Sequence, residues 1–364
     1  GTFSQDPSAY VPAGYKVEQN ANGIYTVRST STGGSTGGGD GGSTGAPASG
    51  TTQKETKPDG TVTETTIDKD GTKTVKATDP NGSVGTTTTK KDANGNPEVN
   101  ADVKISEKAL EDAKKKDEPV RAPIEVEAGK DSNSAPTVKI ELPKNAGETE
   151  VLVPVSNANS GTVAVLVHPD GTEEIIKDSA PVEDGIQFGL NGSATVKILD
   201  NSKDFIDTEN HWSKDDVNFV VSRELFNGVG GNLFGVSGEM TRGMVNTVLA
   251  RLAGVDTNGG VNWYDKGNEW AMKNSISDGT NPMTAVTREQ LATLLWRFAG
   301  APVVDGALGF SDADEVSDYA QVAVLWATQN SIISGVGNNR VAPAASAERA
   351  QVAAMLARYL KNIA

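Results

Sequence analysis

The sequence predicts a multidomain chain. Its parts are a mostly disordered N-terminal region of β-hairpin character, a small β-sandwich-like domain, and a C-terminal all-α bundle. Three observations carry this reading. No Phe, Trp or Tyr occurs from Val27 to Gln187, while all five tryptophans (Trp212, Trp263, Trp270, Trp296, Trp326) lie beyond position 200. Rings supply much of the buried area of a compact core, so the best-formed core belongs to residues 201–364. Glycine is abundant, with 40 in 364 residues, and only 36% of the chain is hydrophobic, which leaves few core-building side chains for the remainder. Finally, three segments near the C-terminal end align on one another.

Residues 1–28 place Tyr10, Tyr15 and Tyr25 around short alternating runs with an Asn22-Gly23 turn signal. They read as a remnant of upstream β structure. Gly1 stands where an initiator Met would, with no signal peptide before it, so we expect a fragment of a longer chain. Residues 29–97 read as a flexible Gly/Ser/Thr-rich linker with hairpin-like repeats. Gly60, Gly71, Gly82 and Gly95 close similar turns at steps of 11, 11 and 13 residues, with Thr/Val/Lys alternation between. Almost nothing there is apolar, so weak or absent order is expected.

Residues 98–200 form the β-rich spacer domain. Ser106 is placed to cap a short helix ending at Lys116. Short β-rich runs follow at Thr137–Leu142, Glu150–Val155, Thr162–Val167, Glu173–Lys177, Ile186–Leu190 and Ala194–Leu199. His168-Pro169-Asp170-Gly171 and Asn191-Gly192 supply tight turns.

The helical repeats begin at Met240, Val286 and Ala347, each with an apolar stripe at helical spacing. Thr241 and Thr287 are N-caps and Gly254 and Gly300 follow the C-caps; in the third copy Ser346 is expected to cap. A second helix lies upstream of each, with Phe219, Trp270 and Trp326 nine residues before Gly228, Gly279 and Gly335. Arg242 and Arg349 follow their glycine by 14 residues and Arg288 by 9, so the second copy lacks five loop residues. One helix–loop–helix unit cannot bury its apolar face alone, whereas three can share a core.

Composition narrows the function. Lys+Arg 33 against Asp+Glu 48 gives a net charge of −15, which argues against nucleic acid and anionic membrane as partners. There is no cysteine, hence no disulfide scaffold, thiol catalysis or Cys-ligated metal. No apolar run reaches 18 residues, so no membrane insertion is expected. The two histidines, His168 and His211, belong to no evident triad or metal site. Asp68-Lys69-Asp70-Gly71 is a poor match to a calcium loop, since Asp79 stands where a bidentate Glu belongs. We therefore expect no catalytic residue, no metal and no cofactor.

Phe205-Ile206-Asp207, His211-Trp212, Phe310-Ser311-Asp312, Ser331-Ile332-Ile333-Ser334-Gly335 and the Thr-Arg pairs at 241–242 and 287–288 resemble S-layer homology repeats. These modules hold secreted proteins on bacterial cell walls. The resemblance spans roughly Phe205 to the C-terminus, as repeats at 201–254, 255–300 and 301–364. Residues 98–200 are similar to the β-rich region that often precedes such repeats in Gram-positive surface proteins.

The resemblance implies a pseudo-threefold bundle, an extracellular location at the cell wall, and grooves that bind a secondary cell-wall polysaccharide, often pyruvylated. It implies ligand-binding roles for Arg242, Arg288, Arg349, Trp270, Trp326, Asn274, Asn330, Gly279 and Gly335. The arginines open their helices, where free N–H groups and the dipole favour a carboxylate. Structural readings stand beside these: the arginines can pair with a nearby Asp or Glu, Trp270 and Trp326 lie on inward stripes, Asn274 and Asn330 can cap helix ends, and Asp207, Asp265 and Asp312 read as turn or cap residues. The alternative function is a lattice protein whose N-terminal region self-assembles.

Overall fold

The structure, a computed structural model, describes residues 2–3, 15–19, 25–29 and 50–362. The chain divides into two units, Gly1–Ala46 and Pro47–Ala364. In the first, strands β1 (Thr2–Phe3), β2 (Tyr15–Gln19) and β3 (Tyr25–Ser29) form an antiparallel sheet with β3 in the middle. Tyr10, the Asn22-Gly23 turn and the stretch 30–49 of the expected linker lie outside the described residues.

The second unit overturns the disorder expected for the rest of 29–97. Strands β4 (Thr52–Thr56), β5 (Val62–Ile67), β6 (Lys73–Thr78), β7 (Val84–Lys91) and β8 (Pro97–Lys104) form one antiparallel meander. After helix α1 (Glu107–Lys116) come β9 (Val120–Arg121), β10 (Thr137–Glu141), β11 (Glu148–Pro154), β12 (Thr162–Val167), β13 (Glu173–Ile175), β14 (Ala180–Val182), β15 (Gly185–Asn191) and β16 (Ala194–Asp200). Nine strands make one sheet in the order β13-β12-β16-β10-β8-β7-β6-β5-β4. Four more make a second sheet, β14-β15-β11-β9. The expected small β-sandwich is thus only part of a larger sheet. Val138, Ile140, Val151, Val153, Ile186, Phe188 and Ile198, all fully or almost fully buried, fill the core.

The composition misled for a physical reason. β8 is pinned to that core through Ala101 and Val103, and β7 adds to an edge that already exists. Each further strand then needs only a tight turn and cross-strand pairs, not a core of its own. The turns are built for it: Asp59, Asp70, Asp79 and Asp92 each accept a backbone N–H two residues on, and Gly60, Gly71, Gly82 and Gly95 take φ near +85° to +89°. The 68–71 segment is such a turn. Among the described residues, no group of three acidic or histidine side chains is placed to hold a metal ion.

Where β7 leaves the core, the loop after β9 lies on its face. A Cβ at Gly85 would sit 2.4 Å from Ile124 Cγ2 and 2.5 Å from the Pro123 carbonyl oxygen. Gly85→Ala should therefore lower unfolding free energy by about 1–3 kcal/mol in a urea titration, the usual cost of forcing atoms into packed space. An unchanged midpoint would show that the loop yields freely.

Six longer helices follow: α2 (Lys214–Ser222), α3 (Arg242–Leu252), α4 (Asp265–Lys273), α5 (Arg288–Phe298), α6 (Gln321–Gln329) and α7 (Arg349–Asn362). Along the chain they make three successive pairs, α2–α3, α4–α5 and α6–α7, while the close helix packing runs between pairs, α3 on α4, α5 on α6 and α7 on α2, around one core that includes Phe219, Leu249, Leu291, Leu295, Val324 and Leu356. The all-α expectation is nonetheless corrected. The C-terminal half of the chain opens with β15 and β16, and the helix pairs meet through β-type backbone bonds. Met240 N–H donates to Ala347 (3.1 Å), Ala347 N–H to Val286 (2.8 Å) and Val286 N–H to Met240 (2.8 Å). These residues are buried, so a closed ring of three hydrogen bonds lies at the centre of the bundle.

The β domain and the first helix pair are joined by a buried arginine. Arg223, wholly buried, donates from Nε to Ser179 O (2.7 Å), from Nη1 to Phe219 O (2.9 Å) and Ser160 O (3.2 Å), and from Nη2 to Thr162 O (2.9 Å). Its guanidinium carbon lies 3.6 Å from the Phe219 ring centroid. Burial pushes its pKa down to about 9, against the pull of Asp178. Asn218 Nδ2 on Ser160 Oγ (2.9 Å) and Asn201 Nδ2 on Ser222 O (2.7 Å) complete the joint.

Candidate functional site

The grooves between helix pairs are built where the second helix of one pair starts against the loop of the next. Thr241 and Thr287 cap α3 and α5 as the sequence implies: their Oγ1 atoms accept from Met244 N and Gln290 N, both at 3.3 Å. Gln290 also returns a bond to Thr287 N, closing a capping box. Ser346 lies in a bridge with Thr287, three residues before α7.

The free N–H groups expected at these helix starts are not free. Arg242 N and Gly243 N donate to Thr284 O (3.0 Å) and Pro282 O (2.8 Å). Arg288 N and Glu289 N donate to Ala345 O and Pro343 O, both at 3.0 Å. Arg349 N and Ala350 N donate to Gly238 O (2.7 Å) and Val236 O (3.1 Å). The neighbouring loop takes the place that an anion would occupy, because the shared core brings its carbonyls onto the helix axis.

The three arginine side chains then diverge. Arg288, 5% exposed, donates from Nε to Val341 O (2.8 Å), from Nη2 to Ser334 O (2.7 Å) and from Nη1 to Gln351 Oε1 (3.4 Å). Burial pulls its pKa down from the ordinary arginine value, and Asp312 opposes this. Arg349 repeats the pattern, Nε to Phe234 O (3.0 Å) and Nη2 to Asn227 O (2.9 Å), with its guanidinium 4.7 Å from the Phe234 centroid. Arg242 does not. Its Nη2 pairs with the Asp278 carboxylate, and its buried Nε has no hydrogen-bond partner.

The five residues missing from the second loop explain the difference. In the other two copies a carboxylate organises the longer loop: Asp207 accepts from Phe234 N (2.8 Å), Gly235 N (2.7 Å) and Val236 N (3.1 Å). Asp312 accepts from Val341 N (2.9 Å) and Ala342 N (2.8 Å). Each loop so held turns one carbonyl, Phe234 O or Val341 O, onto the arginine Nε. The shorter loop around Asp278 offers no such carbonyl. Asp265 has a different task, opening α4 and accepting from Asn262 N (2.8 Å).

The remaining sequence candidates serve the fold in this structure. Asn274 and Asn330 end α4 and α6, each donating Nδ2 to the carbonyl of Trp270 or Trp326 at 2.8 Å. Trp326 is 3% exposed and packs on Tyr359, and the half-buried Trp270 packs edge-on to Phe298. Gly279, at φ +70°, leaves room for Met272, and Gly335 lies against the Arg340 carbonyl and the Phe310 ring. Sequence reasoning missed Asp278 and Tyr319. Tyr319 Oη donates to Glu289 Oε1 (3.1 Å), and the other oxygen of that buried carboxylate accepts from Ser317 N (2.9 Å). Tyr319 stands at the position of Trp212 and Trp263 in the self-alignment, and that equivalence was the signal available.

A family model for the S-layer homology domain matches residues 204–243 and 309–353, which contain parts of the first and third helix pairs. Among curated relatives, an amylopullulanase of Thermoanaerobacterium thermosulfurigenes is 27% identical over 241 residues, covering 60% of this chain and 13% of that protein. The exoglucanase XynX of Acetivibrio thermocellus is 28% identical over 185 residues, covering 45% of this chain and 17% of that protein. The chain thus spans under a fifth of either relative. The S-layer homology domain is a non-catalytic module that anchors proteins at the bacterial cell wall, so this is an extracellular cell-surface chain. Among the described residues, no helix is long and apolar enough to cross a membrane.

Proposed function

We propose that the three helix pairs are three S-layer homology repeats, the middle one included. On this reading they hold the chain to the wall by binding a secondary cell-wall polysaccharide, and the chain has no catalytic role of its own. The acidic group of that polymer, a pyruvate ketal for example, enters the groove at Arg242. The observation that carries this is the unpartnered Arg242 Nε beside a salt bridge to Asp278, whose side chain is 62% exposed. Arg288 and Arg349 are occupied by loop carbonyls; of the three, Arg242 alone is paired with an exposed carboxylate, whose place at the guanidinium a ligand carboxylate can take. The Thr280 N–H and hydroxyl, followed by Arg242 and Arg297, hold the Asp278 carboxyl below the usual carboxylate range. The middle copy supports the reading by geometry, since its Val286 closes the backbone ring and Thr287 caps its helix as Thr241 does.

Arg242→Gln should weaken co-sedimentation with purified walls by about 10- to 100-fold, the consequence of losing a charge-assisted two-point contact. Asp278→Asn should strengthen it several-fold by removing the internal competitor. Walls stripped of acidic polysaccharide should bind all three proteins equally poorly. Unchanged binding by Arg242→Gln would sink this assignment of the groove.

A further inference from the structure

Three strands of the large sheet hold together without a core. Across β4, β5 and β6 only Ala77 is buried, and every residue of β4 is exposed. β4 is also a free edge of the nine-stranded sheet. Side-chain ties between β4 and β5 lie at the exposed surface: Thr52 Oγ1 to Thr66 Oγ1 (2.9 Å), Lys54 Nζ to Glu64 Oε1 (3.0 Å) and Thr63 Oγ1 to the Glu55 carbonyl (3.4 Å). Segments with so little buried apolar area open locally well before the whole fold gives way.

The chain enters the sheet at this weak edge. It runs from Pro47 into β4, where Gly50 N–H donates to Ile67 O (2.6 Å) and Thr52 pairs with Thr66. It leaves for the helix pairs from β16, on the other side of β8 and β10. A pull between Pro47 and the helix pairs therefore acts across the sheet and meets the antiparallel ladder at a strand end. Ladder bonds stand perpendicular to the strands, so such a pull breaks them one pair at a time. It takes β4 from Thr52 to Thr56, then β5 from the Val62–Thr78 pair, then β6 from the Lys73–Thr89 pair.

A stop stands at the turn between β6 and β7. Ser106, the N-cap of α1, donates its hydroxyl to Asn81 O (2.8 Å), and its N–H donates to Oγ of the wholly buried Ser83 (3.2 Å). Just beyond, Gly85 lies under Pro123 and Ile124. β8 then pairs with β10 from Asn100 to Lys104 and buries Ala101 and Val103 in the core. From this turn onward a pull has to break side-chain bonds, packing and ladder pairs together.

We propose that β4, β5 and β6 are an extensible tether: a pull on the N-terminal side strips them from the sheet one strand at a time, and stripping halts at the turn fastened by Ser106. Its length follows from the chain. Residues 51–78, 28 in all, span at most about 90–100 Å when extended. Stripping uncovers no apolar core, so the released strands carry little that would aggregate. β7 keeps its edge and the Asp-Gly turns keep their chemistry, so the strands lie down again when the pull relaxes. In a chain anchored at the cell wall, a tug on residues 1–46 is then taken up by exposed strands and not by the helix pairs. The tether draws its use from that anchoring, and its mechanics from the sheet alone.

The test is single-molecule force extension of the full chain, gripped at its two ends in solution. One lengthening of about 90–100 Å should come at loads below those that unfold the helix pairs, and relaxation should recover it. The double substitution Thr52→Cys/Thr66→Cys identifies that event, since the chain has no other cysteine and the two residues face each other across β4 and β5. Oxidised, it withholds the 14-residue span from Thr52 to Thr66 and should halve the lengthening; a reductant should restore it. Ser106→Ala should lower the load at which the next lengthening begins. Low-load events that oxidation leaves at full length, or strands that come away only together with the core, would overturn the tether. An unchanged second load in Ser106→Ala would overturn the stop. No wall polymer enters the measurement, so the tether and the wall-binding groove can fail separately.

Discussion

Arg223→Met should cost about 3–5 kcal/mol of unfolding free energy, the largest effect we expect from one substitution. Methionine fills much of the same space, but the Thr162 and Ser179 carbonyls are then buried without their donor. Stranding buried polar groups, and not the loss of an attraction, sets that magnitude. Calorimetry should show more than a lowered midpoint: the β domain and the first helix pair should cease to melt together. A chain truncated before Asn201 should suffer likewise, since it keeps Arg223, Asn218 and Phe219 but loses every β-domain acceptor. A single, unshifted transition for Arg223→Met would refute the joint as described.

Arg288→Ala should unfold the bundle before it affects the ligand. Its side chain fastens the start of α5 to Val341 O and Ser334 O, two carbonyls of the third pair, and to Gln351. Removing it should lower stability by about 2–4 kcal/mol. Arg288→Lys should recover little, because an ammonium cannot reach two divergent carbonyls. Wall binding should fall only in proportion to the unfolded fraction. A melting temperature equal to wild type, together with lost binding, would instead return Arg288 to the ligand.

The capped helices and their ring-rich shared core were legible because each rests on short-range periodicity and cap chemistry. The role of the arginines was not. Thr241-Arg242 and Thr287-Arg288 look alike in sequence, and what separates them is a carbonyl in another copy, delivered by a loop whose length matters more than its composition. Residues 52–97 misled in the opposite direction. Their lack of apolar side chains was real, but order came from the adjacent β8 edge, which no local window contains. Trp270 and Trp326 drew attention as tryptophans, although their inward stripe already placed them in the core. Tyr319 needed alignment by position and not by residue type, since it stands where the other copies carry Trp212 and Trp263.

Arg223 has a consequence for how such repeats can be rearranged. It occupies the helix-end position filled by Asn274 and Asn330 in the other copies, and keeps their bond: Nη1 holds the Phe219 carbonyl as the asparagines hold those of Trp270 and Trp326. The longer side chain then reaches on to the β domain. The copies are therefore not interchangeable beads. Moving the second or third copy to the front would present an asparagine too short to cross the joint. Moving the first copy inward would bury a cation against a helix bundle with no strands to receive it. Copy order is fixed by one side chain, so duplication or shuffling of these units has to conserve the leading copy in place.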